Sequence, residues 1–409
     1  MNDNKYTIFK GNVTFPKGFL VSGVYCGIRK NINKLDLALI YSQKECNSAA
    51  VYTKNLVKGA PIYVTMESLK NGKAKAVICN SGNANTCNAD GIEVANKTCL
   101  ALAKELNINA NDIIIASTGV IGQPLNADTI ISGIPSLVSN LSINGGHLVA
   151  QAIMTTDLVK KEIAISFKIG QKEVRIGGIA KGSGMINPNM ATMLSFITTD
   201  IAISSPFLQK ALIASTENTY NMVSVDGDTS TNDMVSIMAN GLAENEEITK
   251  EDENYFAFLS ALNFVNSYLC KCIAKDGEGA TKLLTCIVEN APDLETAKLC
   301  SKAVISSSLV KTAMFGSDAN WGRILCAIGY SKCDIDINKV DISFKSKNGQ
   351  ILVCQNSVGV NFDEIKAKDI LISDEIDILI DLKQGKELAT AWGCDLTYDY
   401  VKINGDYRT

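Results

Sequence analysis

The chain has 409 residues, with 39 Lys or Arg, 43 Asp or Glu and a single His, which gives a formal net charge of −4. One imidazole cannot build a multi-histidine metal site, and a serine-histidine-aspartate triad would have to use His147. The acidic balance argues against a nucleic-acid partner, because such proteins usually carry a basic field. His147 follows Asn144-Gly145-Gly146, which is typical of a turn entering a helix. We therefore expect a structural role for His147 and a catalytic base that is not histidine.

The first half of the chain contains predicted strands and helices in mixture. Residues 76–80 have strand composition and lead into a polar loop, and residues 94–106 show helical apolar spacing. Residues 113–115 then begin a β-rich run that ends in Ser117-Thr118-Gly119. Residues 192–197 are rich in β-branched side chains and are predicted to form a strand.

The second half is also mixed, without a regular strand-helix-strand alternation. Residues 205–222 and 249–272 are predicted helices, the second opened by a capping box of Thr249 and Asp252. A strand over 283–288 and a helix over 293–309 follow. Residues 340–382 are mostly β-rich, with turns at 347–349 and near Gly359. The pattern indicates an α/β (α+β) protein with two or more structural units, whose borders composition does not mark.

Hydropathy and cysteine spacing indicate the cellular compartment in which the protein is expected. The amino terminus leads into no apolar signal-like stretch, and no run approaches the ~18 apolar residues of a membrane span. The chain has 13 Cys, and its closest pair, Cys270 and Cys272, lacks CxxC spacing. We expect a cytoplasmic protein with reduced cysteines in its core, no metal site and no membrane partner.

Two loops resemble ligand-binding motifs only in part. Residues 177–184 are rich in glycine but lack the spacing of a phosphate loop and the third glycine of a dinucleotide fingerprint. Residues 226–233 carry several carboxylate and hydroxyl oxygens, but their glycine is misplaced for a calcium loop. We interpret the second loop as a turn with Asx hydrogen bonding, or as part of an active-site wall.

The segment 180–194 allows two interpretations. It is either a glycine-proline loop followed by a strand, or a site of chain cleavage ahead of Thr192. A threonine that becomes an amino terminus carries its own base, since a free α-amine has a pKa near ~7.7–8.0 and lies beside the hydroxyl. The small Ala191 would leave the scissile carbonyl accessible.

Seven ordered blocks decide between these interpretations. They are residues 116–122, 154–157, 181–194, 225–233, 275–282, 316–323 and 404–409. Through them the chain closely resembles, over essentially its whole length, the bifunctional ornithine acetyltransferase/glutamate N-acetyltransferase family of arginine biosynthesis. The departures are Leu158, Asn187 and Gly405, and they bear on substrate contacts at most.

The resemblance implies that the precursor cleaves itself between Ala191 and Thr192. The products would be an α chain of residues 1–191, with a net charge of +8, and a β chain of residues 192–409, with a net charge of −12. Opposite charges on the two fragments would favour their association. The family pattern implies a heterotetramer of two α and two β chains.

The resemblance also implies the reaction. Thr192 would act as the nucleophile, take acetyl from N2-acetyl-L-ornithine and pass it to L-glutamate in a ping-pong sequence without a cofactor. Acetyl-CoA is a second candidate donor, and the sequence does not decide whether it is used. Thr118 and Gly119 match the family positions that stabilise the oxyanion, and loss of one such donor typically costs ~10²–10³ in rate.

The remaining family positions concern substrate binding and the fold. The positions that match substrate-binding residues are Thr155, Lys181, Thr192, Glu278, Asn404 and Thr409. The implied fold is a layered αββα-type sandwich similar to self-processing aminopeptidases with an amino-terminal nucleophile, plus a smaller carboxy-terminal α/β unit over about 285–409. Two alternatives remain: an amino-terminal-threonine aminopeptidase or amidase of the same fold, and a binding protein that needs no processing.

Overall fold

The computed structural model describes residues 5–187 and 193–406. Its strands are β1 (Thr7–Phe9), β2 (Phe19–Val24), β3 (Leu37–Tyr52), β4 (Lys73–Asn83), β5 (Ile113–Val120), β6 (Lys161–Ile169), β7 (Lys172–Lys181), β8 (Leu194–Thr199), β9 (Val223–Ser224), β10 (Met234–Ala239), β11 (Leu283–Ala291), β12 (Asp341–Ser346), β13 (Gly349–Gln355), β14 (Val358–Gly359), β15 (Glu375–Asp381) and β16 (Glu387–Cys394). Its α-helices are α1 (Ala60–Ser68), α2 (Gly91–Leu106), α3 (Ala127–Ser139), α4 (Gly146–Ala152), α5 (Ser205–Asn218), α6 (Glu253–Lys275), α7 (Leu294–Ser306), α8 (Ser308–Phe315), α9 (Trp321–Gly329), α10 (Glu364–Leu371) and α11 (Tyr398–Gly405).

The chain forms two compact units. The first unit comprises Met1–Gly182, Asn189–Glu217 and Thr229–Leu269. The second unit comprises Ser183–Pro188, Asn218–Asp228 and Cys270–Thr409. Each unit therefore draws on residues from both sides of the predicted cleavage site.

The sheet of the first unit is organised by the long strand β3. The strand order is β1-β6-β7-β8-β10-β3-β4-β5, and β2 also pairs with β3. The register of β3 against β4 shifts between Tyr41 and Cys46. Before the shift β3 pairs with β2, and after it β3 pairs with β10. The strand is therefore shared by two halves of one sheet.

These two halves pack face to face. Side chains alternate along a strand, so β3, β4 and β5 present one set of residues to each side. On one side, Leu39, Ile78 and Ile115 belong to a core that includes the buried residues of α2 and α3. On the other side, Val77 lies in a core with Phe196 of β8 and Met234 of β10.

Helix α6 covers the outer face of the second half of this sheet. An added Cβ at Gly178 of β7 would lie 3.1 Å from Leu269 and 3.3 Å from Val265, so the small residue lets the helix approach closely. The layers of the first unit are thus helix, sheet, sheet and helix. The predicted α/β sandwich is confirmed.

The apolar composition of α6 follows from this packing. Among the described helices, α6 alone is long and apolar enough to cross a membrane by length and composition. Its Leu262, Val265 and Leu269 are fully buried within the protein. The pattern is that of a core helix.

The second unit has its own sheet, with strand order β14-β13-β12-β15-β11-β16-β9. Strand β11 pairs in parallel with β15 and antiparallel with β16. Helix α7 packs on β11 and β16. The prediction that 340–382 is mostly β-rich is confirmed by β12 to β15, and a helix that was not predicted, α10, lies within the same stretch.

Three predicted helix boundaries differ from the structure, and at two of them a polar side chain caps the helix elsewhere. The carboxylate of Asp252 accepts hydrogen bonds from the N–H groups of Asn254 and Tyr255, so α6 begins after Asp252 and the Thr249 capping box is wrong. The predicted helix 293–309 breaks at Ser307, whose side chain caps α8. The predicted helix 205–222 ends at Asn218 and is followed by a 3₁₀ turn.

The cysteine prediction is correct for most positions. All thirteen cysteines are free, and eight are buried. Cys87 and Cys326 are exposed, so the expectation that every cysteine lies in the core is wrong for these two. Cys87 lies in the polar loop between β4 and α2, and Cys326 lies on an outward face of α9.

Candidate active site

Thr118 and Gly119 lie at the carboxyl end of β5. This strand pairs in parallel with β4, and the register places Thr118 beside Ser81 and Gly119 beside Gly82. Gly119 has a φ of 132°, and an added Cβ would collide with the backbone of Gly82. Glycine is therefore required for these two strand ends to approach each other.

Lys181 brings the end of β7 to the same place. Its ammonium donates a hydrogen bond to the hydroxyl of Thr118, with a distance of 3.3 Å between Nζ and Oγ1. Lys181 is 8% exposed, and burial lowers the pKa of its ammonium below the ordinary value. In the sheet register Lys181 pairs with Leu194, the first residue of β8. Thr192 precedes that strand, and both Thr192 and Ala191 lie outside the described residues.

Asp157 joins this cluster to the segment that carries Thr155. Its carboxylate accepts hydrogen bonds from the Lys161 ammonium at 2.7 Å, from the Gly182 N–H at 2.7 Å and from the Thr155 N–H at 3.0 Å. Burial alone would raise the pKa of Asp157, but the charges of Lys161 and Lys181 outweigh it and hold the pKa at about 2. The site thus contains a fixed negative charge between two lysines.

Asp233 lies on the other side of β8. Its neighbour Met234 pairs with Leu194 in the parallel register of β8 and β10. Asp233 is 2% exposed, and burial raises the pKa of its carboxyl well above the ordinary value, although Lys181 opposes this. Among the described residues, its Oδ2 atom has no hydrogen-bond partner. The start of β8 is therefore flanked by a buried lysine and a buried acid.

Glu278 and Asn404 meet in the second unit. The amide of Asn404 donates to the Glu278 carboxylate, with 2.8 Å between Nδ2 and Oε2. Glu278 is 7% exposed, and its backbone N–H donates to the carbonyl of Ser183 at 3.0 Å. A side chain at Gly184 would collide with the Glu278 carboxylate. This close approach explains a glycine next to Ser183.

Asp226 fixes the residues that follow. Its carboxylate accepts hydrogen bonds from the N–H groups of Met185 at 2.6 Å and Ile186 at 2.8 Å. It also accepts from the N–H of Asp228 at 3.2 Å, and the hydroxyl of Tyr400 lies 3.3 Å away. The predicted Asx turn is confirmed, and it anchors the segment that leads toward residue 191.

The structure therefore brings the predicted site residues together in two groups. Thr118, Lys181 and Thr155 belong to the first unit, where Asp157 links the last two. Glu278 and Asn404 belong to the second unit. Thr409 lies outside the described residues, as Ala191 and Thr192 do.

Sequence reasoning missed three buried charged residues of the first unit. They are Asp157, Lys161 and Asp233. Opposite charges four residues apart, at 157 and 161, and the positions of Asp157 and Asp233 inside the motif blocks were the available signals. The single histidine lies in the first turn of α4, where its Nδ1 atom is 2.8 Å from the carboxylate of Glu162.

Comparison with known proteins gives the family. The ArgJ family model matches residues 20–409. The arginine biosynthesis bifunctional protein ArgJ of Caldanaerobacter subterraneus subsp. tengcongensis is 50% identical over 403 residues, which are 98% of this chain and 100% of that protein. The protein of the same name from Thermotoga neapolitana is 49% identical over 397 residues, 96% of this chain and 99% of its own length.

A solved structure supports the same family assignment. The arginine biosynthesis bifunctional protein argJ of Bacillus halodurans is 48% identical, with a TM-score of 0.50, and the match covers 52% of this chain and 99% of the solved chain. The family match spans nearly the whole sequence and includes both groups of site residues. The chain belongs to the ArgJ family.

Proposed function

We propose that this protein is a self-cleaving acetyltransferase that moves acetyl from N2-acetyl-L-ornithine to L-glutamate through an ester on Thr192. The observation that carries the proposal is the hydrogen bond between Lys181 and Thr118 at the ends of β7 and β5. In the sheet register Lys181 pairs with Leu194, the first residue of β8, which lies two residues after Thr192 in the sequence. This arrangement supports the proposal, because the hydroxyl that we assign to the oxyanion and a buried cation lie next to the strand that Thr192 precedes.

Self-cleavage creates the base. The hydroxyl of Thr192 attacks the carbonyl carbon of Ala191, and the peptide nitrogen leaves that carbon and takes a proton. Water then hydrolyses the resulting ester, which frees the Ala191 carboxylate, the Thr192 hydroxyl and an α-amine. An α-amine has a pKa near ~7.7–8.0, so it can act as a general base at neutral pH. The α-amine of Thr192 thus acts as the general base, a role for which we do not expect the single histidine.

Acetyl transfer follows in two half-reactions. The α-amine removes the proton of the Thr192 hydroxyl as the oxygen attacks the acetyl carbonyl, and ornithine leaves with that proton. The amine of glutamate then attacks the acetyl ester, and Thr192 recovers its proton as N-acetyl-L-glutamate departs. Each tetrahedral intermediate carries an oxyanion that the Thr118 hydroxyl and the Gly119 N–H stabilise.

Lys181 prepares Thr118 for this role. A hydroxyl that accepts a hydrogen bond from an ammonium keeps its own proton available for donation and is polarised by the charge. The buried cation also favours the neutral form of a nearby amine. The Lys181–Thr118 pair therefore supports both the oxyanion donor and the base.

The amino-acid portions of the substrates present ammonium and carboxylate groups. We assign Thr155, Lys181, Glu278, Asn404 and Thr409 to bind them, through hydroxyl, ammonium, carboxylate and amide contacts. The burial of Glu278 beside Asn404 supports a carboxylate held for a cationic group. The reaction uses no cofactor, and acetyl-CoA is a second candidate donor for making N-acetylglutamate.

We place the processed enzyme in the cytoplasm as two α and two β chains. The solved relative from Bacillus halodurans supports processing, because that entire chain corresponds to only 52% of this one. The predicted β chain, residues 192–409, is likewise just over half of the sequence. The α and β chains also carry opposite net charges.

The experiment is Thr192→Ala, with Thr192→Ser as the matched control that keeps a hydroxyl. On a denaturing gel the wild type and the serine variant should give two bands, one just below and one just above half of 43.9 kDa. The alanine variant should stay whole and transfer no acetyl. A single full-length band from active wild type would contradict the proposal.

The same assay separates the alternative activity. An aminopeptidase or amidase would release acetate or an amine to water, and glutamate would not become acetylated. Quantifying N-acetylglutamate against free acetate from N2-acetyl-L-ornithine therefore decides between transfer and hydrolysis.

A further inference from the structure

A small cavity in the first unit is lined in part by Thr155, and the mechanism above assigns no ligand group to it. Its volume is about 160 Å³. It is lined by Arg29, Asn33, Lys34, Leu35, Gln151, Met154, Thr155 and Asp157. Its wall therefore includes one proposed substrate-binding residue and two cations.

Arg29 connects the cavity to strands β4 and β5, the second of which carries Thr118. Its Nε atom donates to the carbonyl of Ser81 at 2.6 Å, and its Nη2 atom donates to the carbonyl of Met154. Ser81 is the register partner of Thr118, and Met154 directly precedes Thr155. The guanidinium thus bridges the strand pair that holds the oxyanion donor and the segment that holds Thr155.

The loop that carries the second cation is held in place. The carboxylate of the fully buried Asp36 accepts hydrogen bonds from the N–H groups of Cys26 at 2.7 Å and Arg29 at 3.0 Å. A turn then sets the position of Lys34, whose N–H donates to the carbonyl of Asn31 at 3.1 Å. Lys34 is exposed and lines the cavity. Its ammonium is available to a ligand that enters from solvent.

The net charge of the cavity is positive. Asp157 is the acid among the described lining residues, and its charge is matched by the buried Lys161 at 2.7 Å. The charge of Lys34 therefore acts on a ligand, beside the Arg29 guanidinium that is held by two backbone carbonyls. A site of this sign favours a carboxylate and disfavours an ammonium.

We propose that this cavity binds the side-chain carboxylate of the acceptor L-glutamate, and that Lys34 is the cation that selects it. The inference rests on the proposed acetyl transfer. The two substrates share their α-carbon groups but differ in the side chain, which ends in an ammonium in ornithine and in a carboxylate in glutamate. One ping-pong site must accept both in turn, so a separate cationic subsite gives glutamate a contact that ornithine does not need.

The test is the charge reversal Lys34→Glu, with Lys30→Glu as the matched control. Lys30 is an exposed lysine of the same loop and does not line the cavity. The first half-reaction is measured as exchange of labelled ornithine with N2-acetyl-L-ornithine, without glutamate. The second is measured as the KM for glutamate at saturating N2-acetyl-L-ornithine.

Lys34→Glu should raise the KM for glutamate about tenfold or more, the effect of losing ~1.4 kcal/mol or more of binding. Ornithine exchange should stay within about twofold of wild type, and Lys30→Glu should match wild type in both assays. Equal glutamate KM values for the two variants would overturn the proposal. An equal loss in both half-reactions would also overturn it, since the lysine would then bind the shared α-carboxylate or support the fold.

Two further results are distinguishable from these. If Lys34→Glu raised only the KM for acetyl-CoA, the cavity would bind a phosphate of that donor, and the glutamate assignment would be wrong. If the wild type itself transferred no acetyl to glutamate, the proposed function would fail, whatever the behaviour of the variants.

Discussion

The two units hold their candidate site residues by different means. In the first unit, Asp157 and Lys161 have side chains that are 0% exposed; Lys161 begins β6, Lys181 ends β7, and Asp157 lies in the loop before β6. In the second unit, Asn404 belongs to α11, in which none of the described residues is buried. The group in the first unit is a buried network of charges, and the group in the second unit includes a contact made from a surface helix.

This difference matches two different tasks. Charges that stabilise a transition state act most strongly when they are buried and already oriented, because no reorganisation is then needed. A contact that only holds a substrate can come from an exposed element and form on binding. We therefore expect changes in the first unit to affect stability and rate, and changes at Asn404 to affect substrate affinity.

Asp157→Asn should have the largest effect. It leaves the buried Lys161 and Lys181 without their shared counter-charge, and loss of one partner of a buried ion pair typically costs about 3–5 kcal/mol. The free energy of unfolding, measured with urea, should fall by that order. The matched control is Glu93→Gln, which breaks the exposed pair with Lys97 at 2.7 Å and should change stability little. Equal effects of the two variants would contradict the conclusion that the buried charges of the first unit stabilise the fold more than an exposed ion pair does.

The same variant should reveal the pH dependence. The folded-state pKa of Asp157, about 2, lies below its ordinary value of 3.8. A depressed pKa contributes stability above the unfolded-state value, here on the order of 2 kcal/mol, and that stability is lost as pH falls toward the folded-state value. The stability difference between wild type and Asp157→Asn should therefore shrink between about pH 4 and pH 2. A constant difference over that range would contradict the depressed pKa.

Thr118→Ala should come next. In the proposed mechanism, removing the hydroxyl leaves Gly119 alone to stabilise the oxyanion, so kcat should fall about 10²–10³-fold, or about 2.7–4 kcal/mol. Thr118→Ser keeps the hydroxyl and should recover most of the rate. Circular dichroism should show no change in fold for either variant. A loss in the serine variant as large as in the alanine variant would indicate a packing role instead.

Asn404→Ala should have the smallest effect of the three substitutions, and it should change substrate affinity rather than stability. It removes a donor that orients the Glu278 carboxylate, and that donor comes from a helix with no buried residue among those described. We expect a rise in KM with kcat less changed and with little change in stability. Lys402→Ala, on the same exposed helix, is the control. A drop in stability like that of Asp157→Asn would place Asn404 in the core of the second unit.

The fold was predictable where hydrophobic periodicity alone decides the structure. The helix predicted over 94–106 and the β-rich run predicted over 113–119 correspond to α2 and β5, because one face of each element packs in a core. Boundaries were missed where one side chain decides, as at Asp252 and Ser307, since capping competes with propensity at every serine and aspartate. The division of one sheet by β3 could not be predicted, because it depends on pairing between distant strands.

The candidate site was predictable only as a set of motif positions. The sequence motif included Thr118 and Lys181 but could not indicate that the two side chains would be hydrogen-bonded. Asp157 and Asp233 were inside recognised blocks, yet a carboxylate has the same sequence signal whether it is solvated or buried. Burial changes its chemistry, and burial is a property of the folded chain.

The position of strand β8 within its sheet has a consequence for a chain that is cleaved before it. It is hydrogen-bonded to β7 on one side and to β10 on the other, so it is an interior strand of its sheet. A chain break just before β8 would separate the polypeptide into two fragments whose strands alternate within a single sheet. Such fragments behave as a complementation pair: neither has a complete core, and both should be required together for refolding from denaturant. The cut would release a new terminus without releasing a subunit.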